Sequence, residues 1–220
     1  MQEQDSINTL RDIKNMMERS SRFISLSGLS GISAGIIALA GAWFAWPYVY
    51  GYKNIFISGD QPLFQGGLND YSLLFNTWLF WIAVITFLAA LLFAYIFTRS
   101  QSKRQGIPLW GAAAKRLMIQ MMIPLIAGGY FLLHLLHFGT FGLIAPGCLI
   151  FYGLALVNAG KYTLTEIKYL GYCELLAGII SLSFVGFGLY FWAFGFGILH
   201  IIYGVYMWRK YETVSKVDEA

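Results

Sequence analysis

Charged residues are scarce in this chain of 220 residues, which has 15 Lys and Arg, 11 Asp and Glu, and only 12% charged residues in all. A soluble domain usually carries about 25%. Hydrophobic residues reach 58% and aromatic residues 18%. This balance excludes a disordered chain and an ordinary soluble fold, so the lipid bilayer is the first partner that the sequence predicts.

Cysteine and histidine are also rare, with two and three residues. Cys148 and Cys173 are predicted to lie at different depths on different helices, too far apart for a disulfide, and we expect buried free thiols. The sequence has no phosphate-binding loop, no Cys-x-x-Cys and no dinucleotide fingerprint. It also lacks an acidic pair suited to acid–base chemistry within the membrane. We therefore expect no enzymatic activity, no cofactor and, despite a net charge of +4, no nucleic-acid partner.

Long apolar runs predict an all-α, polytopic membrane protein with a bundle of six transmembrane helices. Each run is long enough, or nearly so, to cross a hydrocarbon core of about 30 Å. Pro47 is expected to end the first helix, and an aromatic loop follows it. The predicted helices cover about 23–46, 72–98, 117–138, 142–160, 169–187 and 190–208 within a membrane domain of residues 23–208.

The two ends of the chain are polar. Residues 1–22 predict a short amphipathic helix, with Ile7, Leu10 and Ile13 on its apolar stripe. This helix suits either a position at the lipid headgroups or the docking of a soluble cytoplasmic protein, and both interpretations stay open. Residues 209–220 form a short tail.

The positions of lysine and arginine orient the predicted helices. Fourteen of the 15 basic residues fall in the first 22 residues, the even-numbered connections or the tail, and only Lys53 falls in an outer loop. The positive-inside rule therefore predicts that both termini are cytoplasmic. In general design the chain resembles six-span proteins of bacterial inner membranes, and this resemblance implies that location.

Small residues recur every third or fourth position in the first predicted helix, at Ser27, Gly31 and Gly35. On a helix this spacing makes one face nearly flat, so that another backbone can approach closely. The face suits either a contact inside the bundle or a homodimer. Gly128 in helix 3 and Gly178 in helix 5 are predicted packing positions of the same kind.

A weak internal repeat relates helix 1 to helix 5 and helix 4 to helix 6. Repeats of this sort are typical of transporters, and the pattern predicts hairpins of common origin. The matching residues are Ala34-Gly35-Ile36-Ile37 and Ala177-Gly178-Ile179-Ile180, Gly28 and Gly171 at the same offset, and the pairs Tyr152-Gly153 and Tyr203-Gly204.

Polar side chains within the predicted spans are candidate binding groups, because burial of polar groups in a bilayer is costly. In helix 3 they stand at i, i+4 and i+7 and therefore form one stripe. The candidates are Tyr130, His134 and His137 in helix 3, Glu174 in helix 5, and His200 and Tyr203 in helix 6.

Two interpretations of the histidines stay open. A metal ion or haem between helices would use His134, His137 and His200, whereas the simpler interpretation has them bonded to backbone carbonyls or facing the interface. Glu174 is the only acid within a predicted span, about one turn inside the cytoplasmic end. It suits proton coupling or pairing with a lysine, but its simplest role there is to reach the headgroup water.

The tetrapeptide Gly28-Leu29-Ser30-Gly31 resembles the nucleophile motif of rhomboid intramembrane proteases, which also have six core helices and a histidine on the last. The resemblance implies Ser30 as nucleophile and His200 as base. Rhomboids carry the motif on their fourth helix, whereas here it stands on the first, so we expect Ser30 to be a packing residue.

We predict that the protein binds a small solute or facilitates its movement across the membrane. The aromatic loop, the small-residue faces and the repeat favour this function. The alternatives are a regulatory or assembly partner that acts through residues 1–22, and a protein that binds haem or a metal through its histidines.

Overall fold

The structure is a computed structural model that describes residues 27–51, 78–106 and 110–213. All regular secondary structure in these ranges is helical, which confirms the all-α prediction. The predicted helix of residues 1–22 and most of the predicted loop lie outside the described residues. We name the helices α1 (Gly28–Trp46), α2 (Trp78–Arg104), α3 (Ala112–His137), α4 (Ile144–Ala159), α5 (Thr165–Leu182) and α6 (Gly188–Tyr211).

Helices α1, α2, α3, α4 and α6, counted with their short flanking turns, are long and apolar enough to cross a membrane. Helix α2 is apolar all round, and only Gln101 and Ser102 at its polar end are buried. A helix of this kind suits contact with lipid rather than with water. Helix α5 is not among these candidate spans, because its 18 residues include the charged side chains of Glu166, Lys168 and Glu174.

Helix α1 ends at Trp46, in agreement with the sequence prediction, and Pro47 is its C-cap. The chain continues from α1 through a π-helical turn, Pro47–Gly51. Proline lacks an N–H, and its ring clashes with the carbonyl four residues earlier in a regular α-helix. The wider π turn accommodates the ring and carries Tyr50 back towards the bundle.

Helix α6 changes its winding along its length. It begins as an α-helix, and a π-helical segment interrupts it near the middle. A second π-helical segment begins at Trp208 and extends past the last residue of α6, Tyr211. Such π segments are rare and are found frequently at functional sites. The four consecutive segments are Gly188–Trp192 (α), Ala193–Leu199 (π), His200–Met207 (α) and Trp208–Thr213 (π).

Helices α4, α5 and α6 pack on one another, and α1 and α3 flank this group. Helix α1 contacts α6 on one side and α2 on the other, while α3 contacts α4. Helices α4 and α5 cross closely where Gly153 and Gly171 face each other. A methyl group on either glycine would lie 2.8 Å from the carbonyl oxygen of the other, so only glycine fits.

The crossing of α1 with α6 repeats this arrangement. A methyl group on Gly28 would lie 2.5 Å from the Gly204 carbonyl oxygen, and one on Gly204 would lie 2.7 Å from the Gly28 carbonyl oxygen. Gly171 stands 143 positions after Gly28, and Gly204 stands 51 positions after Gly153. Both offsets are those of the predicted repeat.

The same offsets relate the neighbouring contacts. A methyl group on Gly35 would lie 3.0 Å from the backbone nitrogen of Ile201, and one on Gly178 would lie 3.0 Å from that of Ile150. Ile201 again follows Ile150 by 51 positions. The α1–α6 pair and the α5–α4 pair therefore make equivalent glycine contacts at equivalent positions of the repeat.

The predicted packing residues all take part in helix contacts or caps. Ser27 accepts a hydrogen bond from the Leu29 backbone and caps α1, while Gly31 and Gly35 face α6. The α1 face that suits a homodimer is thus covered by α6 of the same chain. Gly128 faces the Phe151 side chain on α4, and Gly178 faces α4 as well.

One end of the bundle collects the basic residues, and we call it the basic end. The α1 start belongs to it, because Gly28 faces Trp208 near the α6 end. The α4 end meets the α5 start there, where Gly160 faces Lys168. The remaining basic residues of the described chain at this end are Arg99, Lys103, Arg104, Lys115, Arg116, Lys161, Arg209 and Lys210.

The opposite end is closed by aromatic rings. Trp46 lies 4.9 Å from both Tyr50 and Tyr190, measured between ring centroids. The Tyr50 hydroxyl donates a hydrogen bond of 2.9 Å to the Gly186 carbonyl in the turn between α5 and α6. Gly186 has φ 102°, a conformation that favours glycine. We call Trp46, Tyr50 and Tyr190 the aromatic cluster.

The repeated crossings predict a matched set of alanine variants. Gly153→Ala and Gly204→Ala each force a methyl group against a backbone carbonyl, and each should lower the free energy of unfolding by about 1–3 kcal/mol. Gly129→Ala is the control, because nothing lies within 4 Å of its added methyl group. It should be neutral or stabilise by about 0.5–1 kcal/mol. Unfolding in detergent micelles measures all three, and equal stability of the three variants would contradict the prediction.

Candidate functional site

Glu174 is fully buried, with 0% of its surface exposed. Helix α5 begins at Thr165 rather than near residue 169, so Glu174 lies more than two turns inside the helix instead of one. It also faces α6, and its side chain does not reach the end of the bundle as the sequence analysis expected. A buried carboxyl group within an apolar bundle is costly, so Glu174 is a candidate functional residue.

His200 on α6 faces Glu174. Its Nδ1 lies 3.0 Å from the Gly195 carbonyl oxygen and 3.3 Å from Glu174 Oε1. A carbonyl oxygen only accepts hydrogen bonds, so this geometry assigns the hydrogen to Nδ1. In a neutral ring Nε2 is then an acceptor, and the Tyr152 hydroxyl donates to it over 2.8 Å. We call Tyr152, His200 and Glu174 the buried triad.

The π-helical segment of α6 brings this helix against Glu174. Gly195, which lies in that segment, is buried. A methyl group at this position would clash with Glu174 Oε2 and with the Leu149 side chain. Gly195 thus packs closely against the Oε2 side of the carboxyl group.

Aromatic rings enclose the imidazole. Tyr152 and Phe196 both stack on the His200 ring, with centroids 5.4 Å and 6.0 Å away. Trp192 extends this wall, with its ring centroid 5.2 Å from that of Phe196. An apolar wall lowers the local dielectric constant and strengthens the interactions between the imidazole and the carboxyl group.

Several buried polar atoms lack a hydrogen-bond partner within the described ranges of the chain. They are both carboxyl oxygens of Glu174, the hydroxyl oxygen of Ser181 and the hydroxyl oxygen of Tyr203. Leaving a buried polar group unpaired costs about 1–3 kcal/mol, and more for a charged group. Native proteins usually avoid this, so the concentration of such atoms on α5 and α6 indicates a site rather than ordinary packing.

The remaining predicted site residues lie apart from the triad, on α3. Tyr130 is 67% exposed, and His134 is also exposed. His134 Nδ1 lies 3.1 Å from the Tyr130 carbonyl oxygen of the preceding turn, and His137 packs edge-on against Phe138. The structure thus brings together Glu174, His200 and the neighbouring Tyr203, and it leaves the α3 stripe on an outer surface.

Metal ligation has no support from this geometry. His134 and His137 lie on α3, whereas His200 lies among α4, α5 and α6 with both ring nitrogens engaged. Among residues 27–51, 78–106 and 110–213, no group of three or more His, Cys, Asp or Glu side chains could hold a metal ion. Both cysteines are free, but Cys173 is exposed rather than buried as expected.

Ser30 has a structural role in α1. Its hydroxyl donates to the Ser27 carbonyl in the first turn, and the two nitrogens of His200 are engaged by Tyr152 and Gly195. The arrangement agrees with a packing residue and not with the serine–histidine pair of a protease.

Tyr152 and Gly195 were not among the predicted site residues. The signal for Tyr152 was present, because its Tyr-Gly pair matches that of Tyr203, which was predicted. Gly195 had no such signal. Its importance depends on the π segment and on the position of Glu174, neither of which is visible in hydropathy or residue spacing.

A second polar cluster joins α5 to α6 at the basic end. Lys210 and Tyr211 both donate hydrogen bonds to Glu166 Oε1, the tyrosine over 2.8 Å. The Lys210 side chain is 45% exposed and that of Glu166 is 13% exposed. We call Glu166, Lys210 and Tyr211 the basic-end cluster.

Comparison of the chain with protein-family models, with curated proteins and with solved structures finds no match. The candidate site therefore rests on its own geometry.

Two equivalent tyrosines give a matched test of this geometry. Tyr152→Phe removes the donor to His200 Nε2 and should lower the free energy of unfolding by about 1–3 kcal/mol. Tyr203→Phe removes a buried hydroxyl that has no hydrogen-bond partner in the described chain, and it should leave the free energy of unfolding unchanged or raise it. Thermal unfolding of both variants in the same detergent measures the difference, and a larger loss for Tyr203→Phe would contradict the assignment.

Proposed function

We propose that the chain is a multi-pass protein of a bacterial inner membrane with six spanning helices and cytoplasmic termini. Five helices of suitable length and composition support the proposal. Helix α5 would be the sixth span, since it lies against α4 and α6 and its Glu174 faces inwards. The collection of lysine and arginine at the basic end favours a cytoplasmic position for that end.

We further propose that the protein moves a small solute and that the buried triad exchanges a proton as part of this movement. The observation that carries the proposal is the fully buried Glu174, whose carboxyl oxygens have no hydrogen-bond partner within the described chain. Buried acids and histidines in membrane proteins mark ion pathways and proton relays. A carboxyl group 3.3 Å from an imidazole is a pair between which a proton can pass.

The surroundings of Glu174 favour a proton over a larger ligand. Gly195 packs closely against the Oε2 side of the carboxyl group, and the ring wall of Phe196 is apolar. A metal ion would need further oxygen or nitrogen ligands at this point. A proton needs only the carboxyl group and its imidazole neighbour.

A vesicle experiment tests the proposal. The purified protein is reconstituted into liposomes that contain a pH-sensitive dye, and solute classes are added in turn: amino acids, sugars, carboxylates and organic cations. At least one class should change the internal pH in wild-type vesicles. Glu174→Gln keeps the shape of the side chain but cannot exchange the proton, and it should respond as protein-free vesicles do.

His134→Gln is the control for general effects of removing a polar side chain, because His134 is exposed and lies on α3. This variant should retain the wild-type response, whereas His200→Gln should lose most of it. No response to any solute class, or an undiminished response of Glu174→Gln, would contradict the proposed function.

A further inference from the structure

The basic-end cluster and the buried triad lie along the same pair of helices. Glu166 and Glu174 are eight residues apart on α5, which places them about 12 Å apart along one face of the helix. On α6, His200 contacts Glu174 and Tyr211 contacts Glu166. Helices α5 and α6 therefore both line the interval between the buried triad and the basic-end cluster.

Tyr203 occupies the interval between them. It lies one turn from His200 on α6, and together with Tyr152 it packs against the cluster formed by Leu156, Ile167 and Leu170. Its hydroxyl oxygen is buried and has no hydrogen-bond partner in the part of the chain that the structure describes. Ile167 and Leu170 of this cluster lie between Glu166 and Glu174 on α5.

We propose that protons reach the buried triad from the basic end, through the α5–α6 interface, with Tyr203 as the relay between the basic-end cluster and Tyr152. This inference rests on the proposed function, since it gives the route by which the triad exchanges its proton. Glu166 is the first acceptor on the route. Lys210 holds the Glu166 carboxylate at the entrance through an ion pair.

Protons balance at every step of the proposed route. The Tyr152 hydroxyl gives its proton to His200 Nε2, its hydrogen-bond partner. It takes another from the Tyr203 hydroxyl, which takes one in turn from Glu166, so both tyrosines stay neutral. The imidazolium then releases the proton on Nδ1 to Glu174, which becomes a neutral carboxylic acid. The ring is left with its hydrogen on Nε2, and the reverse transfer restores the original state. No electrons are exchanged in any step.

The opposite end offers a poorer route. Ser181 lies seven residues beyond Glu174 on the same face of α5, and its hydroxyl is the one buried polar group of α5 on that side in the described chain. Beyond it lies the aromatic cluster, in which the Tyr50 hydroxyl is committed to the Gly186 carbonyl. Towards the basic end, by contrast, the buried hydroxyl of Tyr203 lies between the triad and the Glu166 carboxylate.

Infrared spectroscopy of the protein in lipid nanodiscs tests the route without a transported solute. Protonated Glu174 gives a carboxylic-acid C=O band, which is assigned by its loss in Glu174→Gln. Transfer from H2O to D2O shifts this band when the proton exchanges. Tyr203→Phe should slow the shift by at least about tenfold relative to wild type, because the relay hydroxyl is missing.

Tyr169→Phe is the matched control, since Tyr169 lies on α5 near the basic end but is 64% exposed. In Tyr169→Phe the Glu174 band should shift in D2O at the wild-type rate. In Tyr152→Phe the shift should be as slow as in Tyr203→Phe. Wild-type exchange in Tyr203→Phe overturns the route and leaves the proposed function standing. A wild-type spectrum without any band that Glu174→Gln removes, over the whole pH range in which the protein stays folded, overturns both.

Discussion

The rest of the structure depends on two places where helix backbones approach through glycine. In a bilayer the hydrophobic effect does not drive helices together, because lipid tails are as apolar as leucine, so close packing and polar contacts must hold them. Gly153 with Gly171, and Gly28 with Gly204, provide this close packing. The crossing of α1 with α6 also fixes α6 in position, and this helix carries His200 to Glu174.

The two crossings are equivalent, but the chemistry beside them is not. Tyr203 follows Tyr152 by the same 51 positions as the glycines, whereas Leu149 stands where the repeat would place His200. In the same way, Gly31 takes the place of Glu174. Each half of the repeated scaffold thus contributes one group to the site: the α5–α4 pair provides the acid, and the α1–α6 pair provides the imidazole. Their placement where α4, α5 and α6 meet is consistent with a specialised site in a structurally duplicated bundle.

The sequence predicted the helical fold and the small-residue contacts well, because hydropathy and the spacing of small residues are local properties. It did not predict the depth of Glu174, since hydropathy does not show that the polar segment from Thr165 to Lys168 belongs to α5. The stripe of Tyr130 and His134 was equally visible in the sequence. Periodicity identifies a face of a helix, but only tertiary packing decides whether that face is buried.

Burial of Glu174 among apolar helices is costly, and the cost depends on whether the carboxyl group carries a proton. When Glu174 carries a proton, the carboxyl group is neutral and compatible with its apolar surroundings. When it does not, the nearest group that can balance the charge is His200, 3.3 Å away. Burial of both groups makes an unbalanced charge on either one costly. A buried acid beside an imidazole, among helices long and apolar enough to cross a membrane, is the arrangement that the proposed proton exchange requires.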